Sequence, residues 1–239
     1  MMDKRYTRLK LKMLLLVVAG TLGALAAALF LWEMVVDGLL QDPFARSVLW
    51  VCQNLFGCDE AGAGPLAGPV YAAAVILPSG LAIPGLNDSK KLSEPKRESL
   101  YGEILASCVS FGVAYATPAE IDAYNILNAT MLAMNRAIAQ LSPAPDLALI
   151  DGNCKKGIDC NALCIVKGDG RSMSIAAASV LAKVSRDRLM RKLAEQYPAY
   201  RLEAHKGYPT AEHIRLLREH GPCEIYRRSF LRRILGDSA

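Results

Sequence analysis

Hydrophobic positions recur along this chain in distinct patterns, and one run stands apart from the rest. From Met13 to Trp32 the sequence MLLLVVAGTLGALAAALFLW carries no charge. Such a helix rises about 1.5 Å per residue, so it reaches roughly 30 Å, the thickness of a bilayer core. Lys4, Arg5, Arg8, Lys10 and Lys12 precede it, and Glu33, Asp37 and Asp42 follow. That flank predicts a cytosolic N-terminus, with the rest of the chain across the membrane. Gly20 and Gly23, each followed four residues on by an alanine (Ala24, Ala27), form small-xxx-small pairs suited to helix packing. Three readings stand open for residues 1–36: a single membrane anchor, an extension upstream of an internal start at Met34, or a cleaved signal.

Residues 37–50 read as a connector, and over 51–239 short apolar runs alternate with helical patterns, as in an α/β domain. Asn54–Cys58 is a short strand running into Asp59 and Glu60, and Val70–Leu77 (VYAAAVIL) is apolar enough to be buried on both faces. Gly85–Leu92 is a polar loop. Ser93 caps a helix to about Ala106, and Cys108–Ala116 is a third strand. Thr117 and Glu120 form a capping box that opens a long helix through Gln140. Asp146–Ile150 is a strand ending at Asp151, and Ala162–Lys167 is another ending just before Asp169. A helix from Ser174 to Tyr197 begins alanine-rich and turns basic. Thr210 caps a last helix, which Gly221 and Pro222 terminate.

Charge changes this picture. Residues 52–165 hold seven Lys and Arg against eleven Asp and Glu, whereas residues 166–239 hold fifteen against eight. An acidic half able to hold cations, followed by a basic half, suits an enzyme that handles a polyanion through metal ions. The seven cysteines are an odd count without a Cys-x-x-Cys pair, which reads as reduced thiols in a cytosolic-type protein rather than a disulfide framework. Cys154, Cys160 and Cys164 lack a fourth ligand at zinc-like spacing.

Four acids fall at strand ends or in the turns after them: Asp59, Glu60, Asp151 and Asp169. Ligands collect in the crevice beyond strand ends in an open α/β sheet. Adjacent residues on a continuing strand face opposite ways, so Asp59 and Glu60 share a site only if the chain turns at once, as Gly62 and Gly64 would permit. Clustered carboxylates repel one another unless cations lie between them, and Mg²⁺ or Mn²⁺ suits an all-oxygen ligand set.

The stretches GCDEAGAGPLAGPVYAAAVILP (Gly57–Pro78) and GLNDSKKLS (Gly85–Ser93) resemble the opening signatures of the ribonuclease HII family. So do EIDAYNILNATMLAMNRAI (Glu120–Ile138), IDGN (Ile150–Asn153), VKGDGRS (Val166–Ser172) and AAASVLAKVSRDRLM (Ala176–Met190), and after them HKGYPT (His205–Thr210) and HGP…YRRSF (His220–Phe230). The blocks fall in the family's order over about residues 50–232 and say nothing of residues 1–36.

The resemblance implies a ribonuclease H-like α/β fold, with a central mixed five-stranded sheet flanked by helices and a helical C-terminal part; residues 1–36 would add an apolar helix. It implies that Asp59, Glu60, Asp151 and Asp169 are the catalytic carboxylates holding two Mg²⁺ or Mn²⁺ ions. The substrates implied are RNA–DNA hybrids and duplex DNA with embedded ribonucleotides, cut 5′ to the ribonucleotide to leave 5′-phosphate and 3′-hydroxyl ends. Reading of the 2′-hydroxyl falls to backbone groups of a Gly-Arg-Gly turn and to a tyrosine stacked on the neighbouring sugar, here Tyr208. The turn departs from the family: it reads Gly62-Ala63-Gly64, which keeps main-chain contacts but loses the guanidinium. Ser89, Lys90, Lys91, Lys183 and Arg186 are candidate phosphate contacts. The catalytic domain is expected in the cytoplasm, with single-pass membrane association through the N-terminal segment left open, and a monomer is favoured over an otherwise open oligomeric state. The rivals are a hybrid-binding protein with weak catalysis, prompted by Ala63, and a variant tethered to a membrane through residues 13–32.

Overall fold

The computed structural model describes residues 55–144 and 146–236. The apolar run 13–32 and the connector 37–50 lie outside the described residues, as does the expected start of the domain at 51. Among the described residues no helix is long and apolar enough to cross a membrane.

Five strands form one sheet: β1 (Leu55–Ala61), β2 (Val70–Ile76), β3 (Ser110–Ala116), β4 (Leu147–Asp151) and β5 (Ala162–Ile165), in the order β3-β2-β1-β4-β5. β1 pairs antiparallel with β2, and β2 with β3, while β1–β4 and β4–β5 are parallel. Helices α1 (Glu94–Ser107), α2 (Pro118–Ile138) and α3 (Met173–Gln196) supply the connections, with α4 (Leu202–His205), α5 (Ala211–His220) and α6 (Arg228–Leu235) after them. The mixed five-stranded sheet and helical C-terminal part match the expectation. Helix α6 was not anticipated: at eight residues it is short, although Phe230, Leu231, Ile234 and Leu235 form an apolar stripe that joins the C-terminal core.

The β1 alternation explains the layers. Phe56 and Cys58 enter a core shared with α2, whereas Ala61 joins the core against α3, where Ala177, Ala178 and Leu181 are fully buried. Gly57 is dictated by this packing, because a Cβ there would lie 2.1 Å from the Ser174 carbonyl carbon at the start of α3. Alanines in the first turns of α3 therefore set how closely a helix can lie on β1.

Helix α2 begins with the expected capping box, Thr117 Oγ1 accepting from the Glu120 amide and Glu120 Oε2 accepting from the Thr117 amide. The expected unbroken helix is interrupted at Asn125, whose φ of 66° takes it out of the helical region. Its side chain then accepts from the Asn128 amide, restarting the helix.

Candidate functional site

Three carboxylates from three separate segments converge. Asp59 lies on β1, Asp151 ends the neighbouring parallel strand β4, and Asp169 sits in the tight turn Gly168–Gly170 that precedes α3. One carboxylate oxygen of each lies within 4.8 Å of the others. Parallel β1 and β4 deliver the first two to one end of the sheet. The third is fixed by the Gly168 amide, which donates to Asp151 Oδ1 at 2.6 Å. No other such cluster of acidic, His or Cys ligand atoms occurs among the described residues.

Glu60 adjoins this trio without joining its 4.8 Å grouping. The chain does not turn after Asp59: β1 continues to Ala61, with Glu60 opposite Ala72 and Ala61 opposite Tyr71. The turn anticipated from Gly62 and Gly64 thus comes two residues late, yet the Glu60 carboxyl still reaches the cluster, in side-chain hydrogen-bonding contact with Asp59. It remains close enough to feel Asp151 and Lys90 electrostatically.

The site is poised against its own charge. Burial raises the Asp59 carboxyl well above the usual range, and Glu60 and Asp151 push it further. Burial also raises Asp169, helped by Asp88 and Asp151, and raises Glu60, helped by Asp151. Such a cluster holds protons or a cation more readily than three bare charges. The donors are all hard carboxylate oxygens, which fits a divalent ion of the Mg²⁺ or Mn²⁺ kind.

The loop before α1 closes the site. Ser89 Oγ and Ser179 Oγ are 2.8 Å apart, both buried, which pins the loop onto α3. This places Asp88 in hydrogen-bonding contact with Asp169 and Lys90 among Asp59, Asp88, Glu60 and Asp169. Burial opposes the Lys90 charge, but the surrounding carboxylates outweigh it and raise its pKa. Asp88 was missed from sequence, although it lies inside the GLNDSKKLS block.

The candidate phosphate contacts divide sharply. Lys91 is exposed, 3.6 Å from Asp88. Ser89 is 3% exposed and spent on Ser179, so it is a strut rather than a phosphate contact. Lys183 is held by Asp187 at 2.8 Å, and Asp187 is also shared with Arg97. Arg186 is fully buried, its three donor groups bonded to the carbonyls of Ala67, Pro69 and Lys206. A basic helix looks like a polyanion surface in sequence, yet this arginine points inward because strand-linking carbonyls need donors.

The Gly62-Ala63-Gly64 turn lies over Arg186. Gly62 has φ +92°, and a Cβ there would fall 2.0 Å from Arg186 Nε, so both conformation and space demand glycine. Tyr208 is 40% exposed and flanks the turn, with a ring carbon 3.8 Å from where a Gly64 Cβ would stand. Its backbone is held by His213, whose Nδ1 is 2.8 Å from the Tyr208 carbonyl and whose Nε2 is 2.8 Å from the Tyr226 hydroxyl. Burial lowers the His213 pKa to about 4, so the ring is neutral at pH 7. His205 stacks on it at 4.0 Å and accepts from the Gly207 amide, which makes His205 a buttress of the same loop. Arg227, also unanticipated, is fully buried and bonds the carbonyls of Gly62, Ala63 and Gly68. Burial, with Arg186 nearby, pulls its guanidinium down to about 9.

The ribonuclease HII family model matches residues 56–233, which include every residue of this site. Ribonuclease HII of Marinomonas sp. is 53% identical over 190 residues, 79% of this chain and 95% of its own. That of Caldicellulosiruptor saccharolyticus is 52% identical over 179 residues, covering 75% and 87% of the two chains. Among solved structures, ribonuclease H2 from Pyrococcus horikoshii matches with a TM-score of 0.62 at 26% identity, over 73% of this chain and 92% of its own. With the expected mixed five-stranded sheet, the converging carboxylates and these relatives in agreement, the chain belongs to the ribonuclease HII family and is a ribonuclease H enzyme.

Proposed function

We propose that this enzyme is an endonuclease that hydrolyses the phosphodiester 5′ to a ribonucleotide, both in RNA–DNA hybrids and in duplex DNA with embedded ribonucleotides. The observation that carries the reading is the convergence of Asp59, Asp151 and Asp169 within 4.8 Å, on a face where burial and mutual repulsion disfavour bare charge. In this reading Asp59, Asp151 and Asp169 hold Mg²⁺ or Mn²⁺, with Glu60 flanking a two-ion centre. When bound, the ions supply an activated water for in-line attack and stabilise the leaving 3′ oxygen, so the products carry 5′-phosphate and 3′-hydroxyl ends.

The remaining residues bind and orient. The Gly168 amide holds Oδ1 of Asp151 and so fixes the carboxylate's orientation. Lys90 offsets part of the carboxylate repulsion before substrate arrives, and with exposed Lys91 it presents positive charge to the phosphate backbone. Tyr208 offers a ring face to the sugar beside the ribonucleotide, and main-chain groups of Gly62-Ala63-Gly64 meet the 2′-hydroxyl.

The test uses the full-length protein with three end-labelled duplexes: one ribonucleotide in DNA, an RNA–DNA hybrid, and all DNA, each with and without Mg²⁺ or Mn²⁺. Metal-dependent cutting 5′ to the single ribonucleotide, with the all-DNA duplex intact, is expected. Folded protein that binds hybrid but cuts neither ribonucleotide-containing duplex would overturn the proposal and favour a binding role.

A further inference from the structure

Beneath the Gly62–Gly64 turn lie two arginines with no carboxylate partner. Arg186 donates to the carbonyls of Pro69, Lys206 and Ala67, each at 3.1 Å. Arg227 donates from Nε to Gly68 at 2.9 Å, from Nη1 to Ala63 at 2.9 Å and from Nη2 to Gly62 at 2.7 Å. Both side chains are fully buried. The two guanidinium groups thus divide the work: Arg186 ties down the chain after the turn, and Arg227 grips the turn itself.

The consequence follows from peptide geometry. In a trans peptide the carbonyl and the next residue's N–H point in opposite directions. Arg227 draws the Gly62 and Ala63 carbonyls inward, which turns the N–H groups of Ala63 and Gly64 outward. Among the described residues nothing accepts from those two N–H groups. They emerge at the turn that Tyr208 flanks. The side chain at the centre of the turn is only a methyl, so every polar group the turn presents is main chain. What orients the main chain then decides what the turn can recognise.

We propose that Arg227 is a positioning residue for ribonucleotide recognition: by holding the Gly62 and Ala63 carbonyls it aims two free backbone N–H donors at the sugar-phosphate of the ribonucleotide. This rests on the reading of the site as a ribonucleotide-directed nuclease. It assigns to the YRRSF segment a role in selectivity, exerted from the far end of the chain, while the carboxylates carry the chemistry.

The test compares full-length Arg227→Gln and Arg227→Lys with the unsubstituted protein. Two quantities are read: the ratio of affinities for a duplex with one ribonucleotide and for the same all-DNA duplex, measured in Ca²⁺, and kcat and KM for cleavage in Mg²⁺. Arg227→Gln should lower the affinity ratio and raise KM by about tenfold, with kcat at saturating substrate changed less. Lys keeps the charge and three donors, so Arg227→Lys should recover part of the ratio. Leu202→Ala, which opens the adjoining core without touching a turn carbonyl, should lower the melting temperature and leave the ratio intact. If Arg227→Gln fails to fold, as judged by circular dichroism, Arg227→Lys carries the comparison. An unchanged ratio in the folded Arg227 variants, or an equal loss in Leu202→Ala, would overturn the inference. Failure of the unsubstituted protein to cut any ribonucleotide-containing duplex would instead sink the functional reading, and it would show before any variant is made.

Discussion

Two neighbouring regions of this enzyme bury like charges, and they treat them in opposite ways. Around Asp59, Asp151 and Asp169 negative charge is gathered with Lys90, itself exposed, to offset it. Around Arg186 and Arg227 positive charge is gathered too, yet each guanidinium nitrogen donates to a neutral backbone carbonyl. Burying a charge is costly unless hydrogen bonds replace its water. The arginine pair rests on neutral carbonyls and forms scaffold, whereas the carboxylates accept hydrogen bonds and still repel one another, the repulsion that a bound cation would relieve in the proposed function. Unfinished compensation, rather than burial of charge alone, separates the reacting centre from its support.

The comparison breaks most visibly if each region is neutralised in turn. Asp59→Asn or Asp169→Asn should reduce kcat by about 10³-fold or more, since about 4 kcal/mol of transition-state stabilisation corresponds to that factor. Hybrid binding should persist, as read by a mobility shift. Normal cutting by either variant would show that the cluster is not the reacting centre. Arg186→Met should act on stability instead. It strands the carbonyls of Ala67, Pro69 and Lys206, and at about 1 kcal/mol or more for each the loss should reach roughly 3 kcal/mol in urea unfolding. A loss under about 1 kcal/mol would mean that the pair is not the strut described above.

The two regions also differ in how far the sequence revealed them. Strand ends and flanking glycines marked all of the carboxylate trio as candidates, because a short apolar run that stops at or just before an acid is a local signal. The capping box at Thr117 and the helix start at Thr210 were legible for the same reason, while the mixed five-stranded sheet was implied by the family resemblance and its strand order came from the structure. The arginine strut was not. Arg186 sits in a helix that turns basic, and whether a guanidinium faces water or a carbonyl depends on chain 117 residues away. Arg227 grips a turn 165 residues earlier, which no local pattern encodes. The break at Asn125 was hidden likewise, since the apolar period continues across it and only the backbone departs.

A milder change sharpens what the turn contributes. Ala63→Arg adds a guanidinium beside the outward N–H groups without disturbing the Ala63 carbonyl that Arg227 holds. It should improve kcat/KM on a single embedded ribonucleotide by roughly five- to tenfold, chiefly through KM, the scale of one charge-assisted contact. No change would mean that the main-chain donors already suffice.

Smaller effects come from pH. With metal removed, Asp59 and Asp169 hold their protons more tightly in the folded than in the unfolded protein. Their contribution is therefore favourable at low pH and is lost as pH rises through their folded values. Asp59→Asn should stabilise the metal-free protein at pH 7 by about 1 kcal/mol, a rise of roughly 2–4 °C in Tm, and the gain should shrink as pH falls. Saturating Mg²⁺ should reverse the order, because only the unsubstituted cluster binds it well.

Glu120 supplies the opposite slope on a paired, solvent-facing charge. Arg136 sits 2.6 Å from Glu120 Oε1, and with the Thr117 amide it holds the carboxyl down to about 2. This stability is present above the unfolded carboxyl value of about 4.3 and is lost as pH falls through the folded one. Glu120→Gln should cost about 0.5–1 kcal/mol at pH 7, within the range of a cap joined to an exposed ion pair. The difference from the unsubstituted protein should narrow in urea titrations at pH 3. A gap that widened toward low pH would contradict the depressed Glu120 carboxyl, and with it the contrast between charges compensated within the fold and charges left for a cation.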